Sequence, residues 1–574
     1  MISAVQLAYA AASTVQQAPR LLAAFQPMLA ATTAPSLPGT TAPASTVPVP
    51  GTTVPPSLST PAPAVTTTPA TAATGFELPS MLLSTVVWAT TLAAIAIVFL
   101  PDRTDEQRSR VRSLALLASA TALALTLLTM GTAVSLGVAA TPDQLHEETG
   151  TWIAGFAFAI HYHLSADGVT LSLLTLSTVL FGCVFLASWK RRERIRLYCG
   201  LLLLLETAVN GALCATDLVL FVLFFAMQGV PLFLLLRCFG GPGRERASAR
   251  AGIAVLVSSV LLMLSFLLVV VHSGSHSSDL NDLLNPRFSD RVGVAGFWLA
   301  FTAFAISFAV VPLHSWVVDA QEVASSGVAA IIAGVVVRLS GYGMLRFALG
   351  LFPVQAQRFG NVLMVLAVLS AAWGVLLTVS QPTLRRMVAA LSVGQMSLVL
   401  LAISAPNTIS LTGAVLQLVA GGFSAGLLLL LCGAIEGRTR TTSFDRLGGL
   451  ANQAPRLSGF WIFACLAALG APLLAGFSAE LMLFLGVFHV HPYATVFVMA
   501  TLAVSTAALV WAAQRVFFGP AREEFARVRD TGALELSYLW PAVVFLLVFG
   551  VLAGRVVPVI GTGLTRIAAT LGGG

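Results

Sequence analysis

Apolar runs, each long enough for an α-helix to cross the roughly 20-residue width of a bilayer's hydrocarbon core, recur from Leu82 towards the end of the chain. Short polar segments separate these runs, so the pattern predicts an all-α integral membrane protein. The expected membrane-spanning helices number about fourteen, near 81–100, 113–136, 169–189, 197–215, 217–237, 250–272, 295–313, 324–347, 361–380, 387–404, 409–434, 457–475, 494–514 and 535–556.

The loops between these helices alternate in charge. Six of them are basic: 102–112, 190–196, 237–250, 381–386, 436–449 and 514–530. They follow every odd-numbered helix except the seventh, whereas intervening loops such as "TPDQLHEETG" (141–150) and "SAPNT" (404–408) are acidic or neutral. Because cytoplasmic loops of membrane proteins collect lysine and arginine, we expect the basic loops in the cytoplasm and both termini on the outer face of the cell (inner or plasma) membrane.

The first 75 residues differ from the rest of the chain. Residues 1–36 are weakly apolar with Arg20 as their one charge, and 37–75 form a Pro/Thr/Ala tract without any charge. The tract cannot bury a core and is expected to be disordered. The missing basic n-region argues against a cleaved signal peptide, so an amphipathic surface helix and an over-long gene start both stay open. We expect a transmembrane domain over 80–556 and a C-terminal tail over 557–574.

Composition supports the membrane interpretation and argues against nucleic-acid binding, a metal site and a redox centre in this chain. The chain is 57% hydrophobic and 10% charged, with mean hydropathy +0.90, whereas soluble proteins are about 25% charged. The basic loops explain the net charge of +7, so no nucleic-acid partner is needed. The six cysteines are scattered without a CxxC pair, which predicts buried apolar residues and neither a metal site nor a redox centre in this chain. It contains no GxGxxG motif after a strand.

Two helices are punctuated by proline in a comparable way. Pro312 precedes Asp319 in the seventh helix, and Pro472 precedes Glu480 in the twelfth, five helices later. Broken helices at matched positions in two halves are typical of inverted-repeat transporters and lie at their sites. We therefore expect two inverted five-helix repeats, over helices 4–8 and 9–13, each containing a broken helix.

An arginine lies inside the apolar run of the eighth helix, at Arg338 in "AGVVVRLSGYG". An arginine at the centre of a membrane helix costs roughly 2.5–3.5 kcal/mol on insertion scales. Two interpretations stay open at this point. Arg338 either pairs with an acid of a neighbouring helix, or it relays or tunes charge at mid-membrane.

Six stretches carry a family resemblance: 161–189, "LLETAVNGALCATDLVLFVLFF" (204–225), "VVPLHSWVVDAQ" (310–321), 333–353, 383–403 and "GFSAELMLFLGVF" (476–488). In this order they resemble the chain M family of proton-pumping NADH:quinone oxidoreductase (respiratory complex I), antiporter-like membrane subunits related to Mrp-type cation/proton antiporter subunits. The resemblance covers roughly residues 80–556. It implies a line of mid-membrane acids and lysines that pass protons, driven by quinone reduction elsewhere in the complex.

The resemblance implies that this chain keeps only part of that line. Glu206 and Glu480 match the acids of the fourth and twelfth helices, and His314 matches the histidine beside the first proline. The other family positions have changed: the fifth-helix glutamate is Ala226 with Gln228 as the nearest polar group, the seventh-helix lysine is Ser307, the eighth-helix lysine is Arg338, and two histidines are Gln395 and Gly421.

The changed positions predict impaired pumping. The fifth- and seventh-helix partners of the family's ion pair are lost together, which avoids a stranded buried charge. Arginine does not deprotonate in proteins, so Arg338 cannot relay its own proton. Glu206, His314, Arg338 and Glu480 are the proton-pathway candidates; Gln228, Ser307, Asp319, Glu322 and Gln395 are secondary candidates. Asp319 and Glu322 are expected near the cytoplasmic surface, and no residue is predicted to bind a metal.

The resemblance also implies partners and cofactors. We expect this chain to join other membrane subunits of a complex I-like assembly in the lipid bilayer, with NADH, FMN, iron–sulfur clusters and quinone in partner subunits. Two alternatives stay open. The same fold serves membrane-bound hydrogenase and Mrp-type antiporter complexes, and the chain could instead be a non-pumping scaffold.

Overall fold

The computed structural model describes residues 81–136, 146–153, 160–274, 277–283, 289–520, 522–525 and 528–570. All of them belong to one compact unit, Glu77–Gly574. The predictions for residues 1–36 and 37–75 lie outside the described residues.

The described elements of the first half are α1 Leu82–Phe99, α2 Asp105–Leu136, β1 His146–Ile153, β2 Ile160–Ala166, α3 Gly168–Ala187, α4 Ile195–Cys214, α5 Leu218–Phe239, α6 Arg244–His272, α7 Leu280–Leu283, α8 Asp290–Phe308, α9 Ser315–Val323 and α10 Ser326–Leu351. Helix α5 is interrupted at Gln228. Helix α10 contains two π-helical turns, Ile332–Val336 and Met344–Ala348.

The described elements of the second half are α11 Pro353–Arg358, α12 Gly360–Val379, α13 Leu384–Ser404, α14 Thr408–Thr439, α15 Leu450–Gln453, α16 Pro455–Ala468, α17 Ala475–Phe488, α18 Pro492–Phe517, a 3₁₀ turn Glu523–Phe525, α19 Ala533–Val551 and α20 Ala553–Thr570. The predicted C-terminal tail therefore contains most of a helix, which includes Pro558.

The predicted multi-pass all-α membrane fold is confirmed. Thirteen helices within the described ranges are long and apolar enough to span a bilayer. The twelfth predicted helix, 457–475, differs: α16 ends at Ala468 and α17 begins at Ala475, around Pro472. Helix α8 similarly ends before Pro312 and α9 begins after it. The inverted-repeat relation between the two halves stays a prediction.

Sequence analysis missed a β-hairpin. Strands β1 and β2 pair antiparallel, from His146 opposite Ala166 to Ile153 opposite Ile160. The alternation in β1 is hidden by its polar composition, "HEETGTWI", which reads as an acidic loop. Asp217 ties the hairpin to the bundle, because its carboxylate accepts a hydrogen bond from the N–H of His161 at 3.1 Å.

The core lies around three helices. In the most apolar 18-residue segment of each helix, all residues of α10 are buried. In α13 and α14 the buried share is 94%, whereas in α18 it is only 28%. The peripheral helices therefore present apolar surface outward, as helices beside lipid do. A group on α10 is surrounded by protein on every side.

The six basic loops meet on one face of the bundle, as predicted; we call it the basic face. Arg112 donates to the carbonyl of Arg191 at 2.6 Å, and the N–H of Leu384 donates to the carbonyl of Thr442 at 2.8 Å. Phe239, of the loop 237–250, contacts both groups: the Arg191 guanidinium lies 5.1 Å from its ring, and the ring lines one cavity with Arg385 and Glu436. The hairpin lies at the opposite ends of the helices.

Candidate functional site

Arg338 lies in α10 between the two π-helical turns. A π turn inserts one extra residue into an α-helix, and such turns are frequent at functional sites. The side chain is 1% exposed, so this arginine is held inside the bundle and not at its edge. The local sequence explains the tight setting, because Gly341 and Gly343 let Phe308 and Phe304 approach the helix backbone.

The guanidinium of Arg338 is held by neutral groups. Its Nη2 donates to Oε1 of Gln395 at 3.1 Å and its Nη1 to the sulfur of Met396 at 3.3 Å. Its Nε donates to the carbonyl of Ala333 at 3.3 Å. No carboxylate among the described residues forms an ion pair with it. The structure therefore contradicts the interpretation in which Arg338 forms a structural ion pair with an acid of a neighbouring helix.

Gly421 completes this pocket. A Cβ at position 421 would lie 3.0 Å from Nη1 and 3.1 Å from Nη2 of Arg338, closer than ordinary packing allows. The larger guanidinium therefore requires the smallest residue on the facing helix, α14. Sequence analysis named Gln395 and Gly421 only as lost histidines. Their contact with Arg338 shows that the three changed positions form one packed group.

The family's lysine has no substitute elsewhere in the chain. Of the 31 lysines and arginines, Lys190 is the one lysine. It lies at the exposed end of the turn after α3, outside every membrane-spanning helix. No ammonium group within a span of this protein can therefore lose and regain a proton.

Glu206 lies on α4 and is fully buried. Its Oε1 accepts a hydrogen bond from Ser119 of α2 at 2.9 Å, and its Oε2 has no partner among the described residues. One turn later, Asn210 accepts from Ser177 at 2.7 Å and leaves its Nδ2 without a partner. These orphaned atoms give α4 a polar face that water can hydrogen-bond. Ser119, Ser177 and Asn210 were missed from the sequence, since serine and asparagine are common in packed helices.

The fifth- and seventh-helix positions carry no charge. Ser307 donates to Ser258 at 2.9 Å, so two hydroxyls fill the space around the lost lysine. Gln228 is buried at the interruption of α5 with its Oε1 unpartnered in the described part, whereas Ala226 faces outward. Positions 226 and 307 therefore leave no unpaired charge where the family has an ion pair.

The break between α8 and α9 puts His314 at the periphery. Its Nε2 accepts from the indole N–H of Trp373 at 3.1 Å, and Trp373 is 48% exposed. Asp319 and Glu322, further along α9, lie at the basic face. Asp319 pairs with Arg250, and Glu322 with Arg386 at 2.9 Å. These acids are committed to ion pairs, which favours an anchoring role over free proton uptake.

The break between α16 and α17 holds Glu480. Gly470 and Leu473 adopt positive φ angles of 63° and 72°, and a Cβ at 470 would collide with the Glu480 carboxylate. The carboxylate makes no hydrogen bond or ion pair within the described residues. Its neighbour Phe477 is 42% exposed, so Glu480 lies towards the surface of the bundle at an interrupted helix.

Among the predicted site residues that the structure describes, Arg338 and Gln395 form a direct hydrogen bond, and Asp319 and Glu322 line one cavity at the basic face. Glu206 and Glu480 each stand alone as carboxylates in the spanning region, and His314 is separate from both. The bundle, its interrupted helices and these isolated ionisable groups define an antiporter-like multi-pass membrane protein.

Comparisons with known proteins agree with this class. Residues 215–506, just over half of the chain, match the family described as NADH:quinone oxidoreductase/Mrp antiporter, TM. The chain is 30% identical over 442 residues to NADH-quinone oxidoreductase subunit M of Rhodobacter capsulatus, covering 75% of this chain and 85% of the relative. The chain belongs to the NADH:quinone oxidoreductase/Mrp antiporter transmembrane family.

Solved structures share the fold. A chain of respiratory complex I from Thermus thermophilus with bound NADH superposes with a TM-score of 0.77 at 25% identity, covering 86% of this chain and all of that one. A chain of the Mrp complex from Dietzia sp. DQ12-45-1b gives a TM-score of 0.73 at 20% identity, covering 86% and 99%. The fold is therefore common to both kinds of assembly.

Proposed function

We propose that this protein is an antiporter-like membrane subunit of a complex I-type NADH:quinone oxidoreductase, and that proton passage through this copy is weakened. In such an assembly proton translocation is coupled to electron transfer from NADH to quinone. The assignment to complex I over an Mrp-type assembly rests on the relatives at 30% identity or more, which are quinone oxidoreductase subunits. In this role the chain contributes structure and coupling more than transport.

The observation that carries the weakened passage is the setting of Arg338. A proton relay needs a group that gives up and regains a proton, and a guanidinium does neither in a protein. Three neutral acceptors and a facing glycine hold Arg338 in place. Since no lysine lies in any span, α10 has no ammonium group that can receive a proton from one side and release it on the other.

Glu206 and Glu480 keep a narrower role. Each carboxylate can bind and release a proton, and the unpartnered Oε2 of Glu206 can orient a water molecule. The two carboxylates lie at separate positions, Glu206 against Ser119 of α2 and Glu480 at the break before α17, so each acts locally.

NADH, FMN, iron–sulfur clusters and quinone belong to partner subunits in this proposal. We expect the basic face to lie on the cytoplasmic side of a cell (inner or plasma) membrane, because cytoplasmic loops collect lysine and arginine. If the interrupted segment α16–α17 crosses once, beside the thirteen long helices, the crossings number fourteen and both termini lie on the outer face.

The first test identifies the assembly. The chain is purified from its native membrane in mild detergent, and the co-purifying proteins are identified by mass spectrometry. NADH-dehydrogenase and quinone-site subunits are expected. Recovery with hydrogenase or Mrp-type subunits, or recovery of the chain alone, would overturn the complex I assignment.

The second test measures pumping. The purified assembly is reconstituted in vesicles and the ratio of protons moved to NADH oxidised is measured. The comparison is an assembly whose chain carries the family residues, A226E, S307K, R338K, Q395H and G421H. We expect a higher ratio from the substituted assembly; where it does not assemble, a chimera with a lysine-bearing relative replaces it. A full ratio from the native assembly would refute weakened passage.

A further inference from the structure

A cavity of about 640 Å³ opens on the basic face between α3, α14 and α19. Its rim carries Lys190, Arg438 and Arg529, and its floor is apolar, formed by Leu430, Ala434 and Leu534. Nothing in the proposed coupling role uses it. A cationic rim above an apolar floor at a bilayer surface matches an amphiphile with an anionic head.

Two of the three rim cations are uncommitted. Arg438 donates to Oε1 of Glu535 at 2.8 Å and to the carbonyl of Ala434 at 2.8 Å, so its charge is matched. The side chains of Lys190 and Arg529 make no ion pair or hydrogen bond with the described residues. Both side chains are exposed to the cavity mouth.

The remaining acid of the cavity does not neutralise them. The carboxylate of Asp530 accepts from the backbone N–H groups of Arg456 at 3.0 Å, Leu457 at 3.2 Å and Thr531 at 2.7 Å. These bonds cap the start of α16, where the helix dipole favours a negative charge. The lining has three cations and two acids, so its net charge is +1, and two of its cations make no ion pair within the described residues.

A neighbouring cavity shows the contrast. On the other side of α14, about 810 Å³ is lined by three arginines and three acids, among them Asp319 with Arg250 and Glu436 with Arg385. Those charges balance each other. The larger cavity thus has no net charge, although its Arg246 makes no ion pair within the described residues, whereas the smaller cavity has a net charge of +1.

We propose that the cavity between α3, α14 and α19 binds the headgroup of an anionic phospholipid, with its phosphate between Lys190 and Arg529. The acyl-glycerol part lies against Leu430, Ala434 and Leu534. Helix α19 forms one wall and presents Trp540 and Val544 outward, 51% and 45% exposed, so the acyl chains leave along a lipid-facing helix. The proposal is independent of whether the chain pumps protons.

The single lysine gives a direct test. The full chain, in its purified assembly, is placed in nanodiscs and acetylated with an amine-reactive reagent, and the modified peptides are counted by mass spectrometry. Arg110→Lys supplies a reference lysine at an exposed position, since the Arg110 side chain is 70% exposed. We expect phosphatidylglycerol or cardiolipin nanodiscs to slow acetylation of Lys190 about fivefold more than that of the reference, compared with phosphatidylcholine.

Two variants separate a built site from general surface attraction. Arg529→Gln removes the second uncommitted cation and should abolish the excess protection, whereas Arg446→Gln, an exposed arginine of the same face outside the cavity, should leave it unchanged. Equal protection in both variants, or none in either lipid, would overturn the proposal. So would full protection by inorganic phosphate alone in phosphatidylcholine nanodiscs, because the ligand would then be free phosphate.

Discussion

Arg338 and Gly421 fit each other across two buried helices: a Cβ on residue 421 would lie 3.0 Å from Nη1 of the guanidinium. Neither residue is explained without the other. A bulky cation in α10 needs open space on α14, and a glycine in the middle of a helix costs about 0.5–1 kcal/mol relative to alanine. Glycine at position 421 therefore lowers the helix propensity of α14 but leaves space for the guanidinium of α10.

Gly421→Ala should destabilise the protein by about 1–3 kcal/mol, the usual range for overpacking. Gly437→Ala in the same helix is the matched control, because no atom lies within 4 Å of a Cβ there, and it should be neutral or stabilising. Thermal unfolding in detergent measures both. In an Arg338→Lys background, which removes the crowding nitrogens, the cost at 421 should shrink. Equal costs in both backgrounds would show that the two residues do not interact.

Glu206→Gln should leave the ratio of protons moved to NADH oxidised unchanged in reconstituted vesicles. The amide keeps the shape of the side chain and can still accept from Ser119, so the fold is preserved. Transport is insensitive because the relay is already interrupted at Arg338. Ser119→Ala serves as the structural control. A lower ratio in the glutamine variant alone would mean that protons do pass through this chain.

Arg346→Ala should be among the most damaging single substitutions outside the apolar core. Arg346 pairs with Asp167, and the two side chains are only 12% and 4% exposed. Removing one partner leaves an uncompensated buried charge, which costs about 3–5 kcal/mol. The exposed pair of Arg110 with Glu106 is the comparison, where Arg110→Ala should cost about 0–1 kcal/mol. Similar shifts in unfolding temperature for the two variants would contradict the expectation.

The hairpin should loosen as pH rises. His163 of β2 contacts Asp279 and lies 2.7 Å from Glu147 of β1. Burial alone would lower the pKa of His163, but Asp279 and then Glu147 outweigh it and raise that pKa. Burial would raise the pKa of Asp279, but the hydrogen bond with His163, the backbone N–H of Asn281 and the positive charge of His163 and His161 together outweigh burial and lower that pKa.

The direction in which hairpin stability changes with pH follows from the raised pKa of His163 and the lowered pKa of Asp279. The contribution of His163 is full below its ordinary pKa of about 6.5 and is lost as pH rises through the raised value, whereas that of Asp279 is lost only as pH falls through its lowered value. Hydrogen-exchange protection of the hairpin amides should therefore be greater at about pH 6 than at about pH 9. His163→Gln should remove the difference and His272→Gln, on an exposed side chain, should keep it. Protection independent of pH in the native chain would exclude the effect.

Hydrophobic periodicity was sufficient for the bundle, because a lipid solvent forces each span to be apolar and helical. It failed at the hairpin, where strands built of polar residues such as His146 and Glu147 are held by contacts distant in sequence. Residue types alone identified Arg338, Glu206 and Glu480 as unusual. They could not show that Gln395 and Gly421 form the arginine's pocket or that His314 faces outward, since those relations depend on which helices are neighbours.

The two π turns of α10 have a consequence for register. Each residue added to a helix rotates everything after it by about 100°. Deleting a single residue from Ile332–Val336 would turn that stretch into ordinary α-helix and rotate the arginine away from α13 and α14 without substituting any residue of its pocket. The direction in which this buried cation points is thus a property of one inserted backbone residue as much as of the arginine itself.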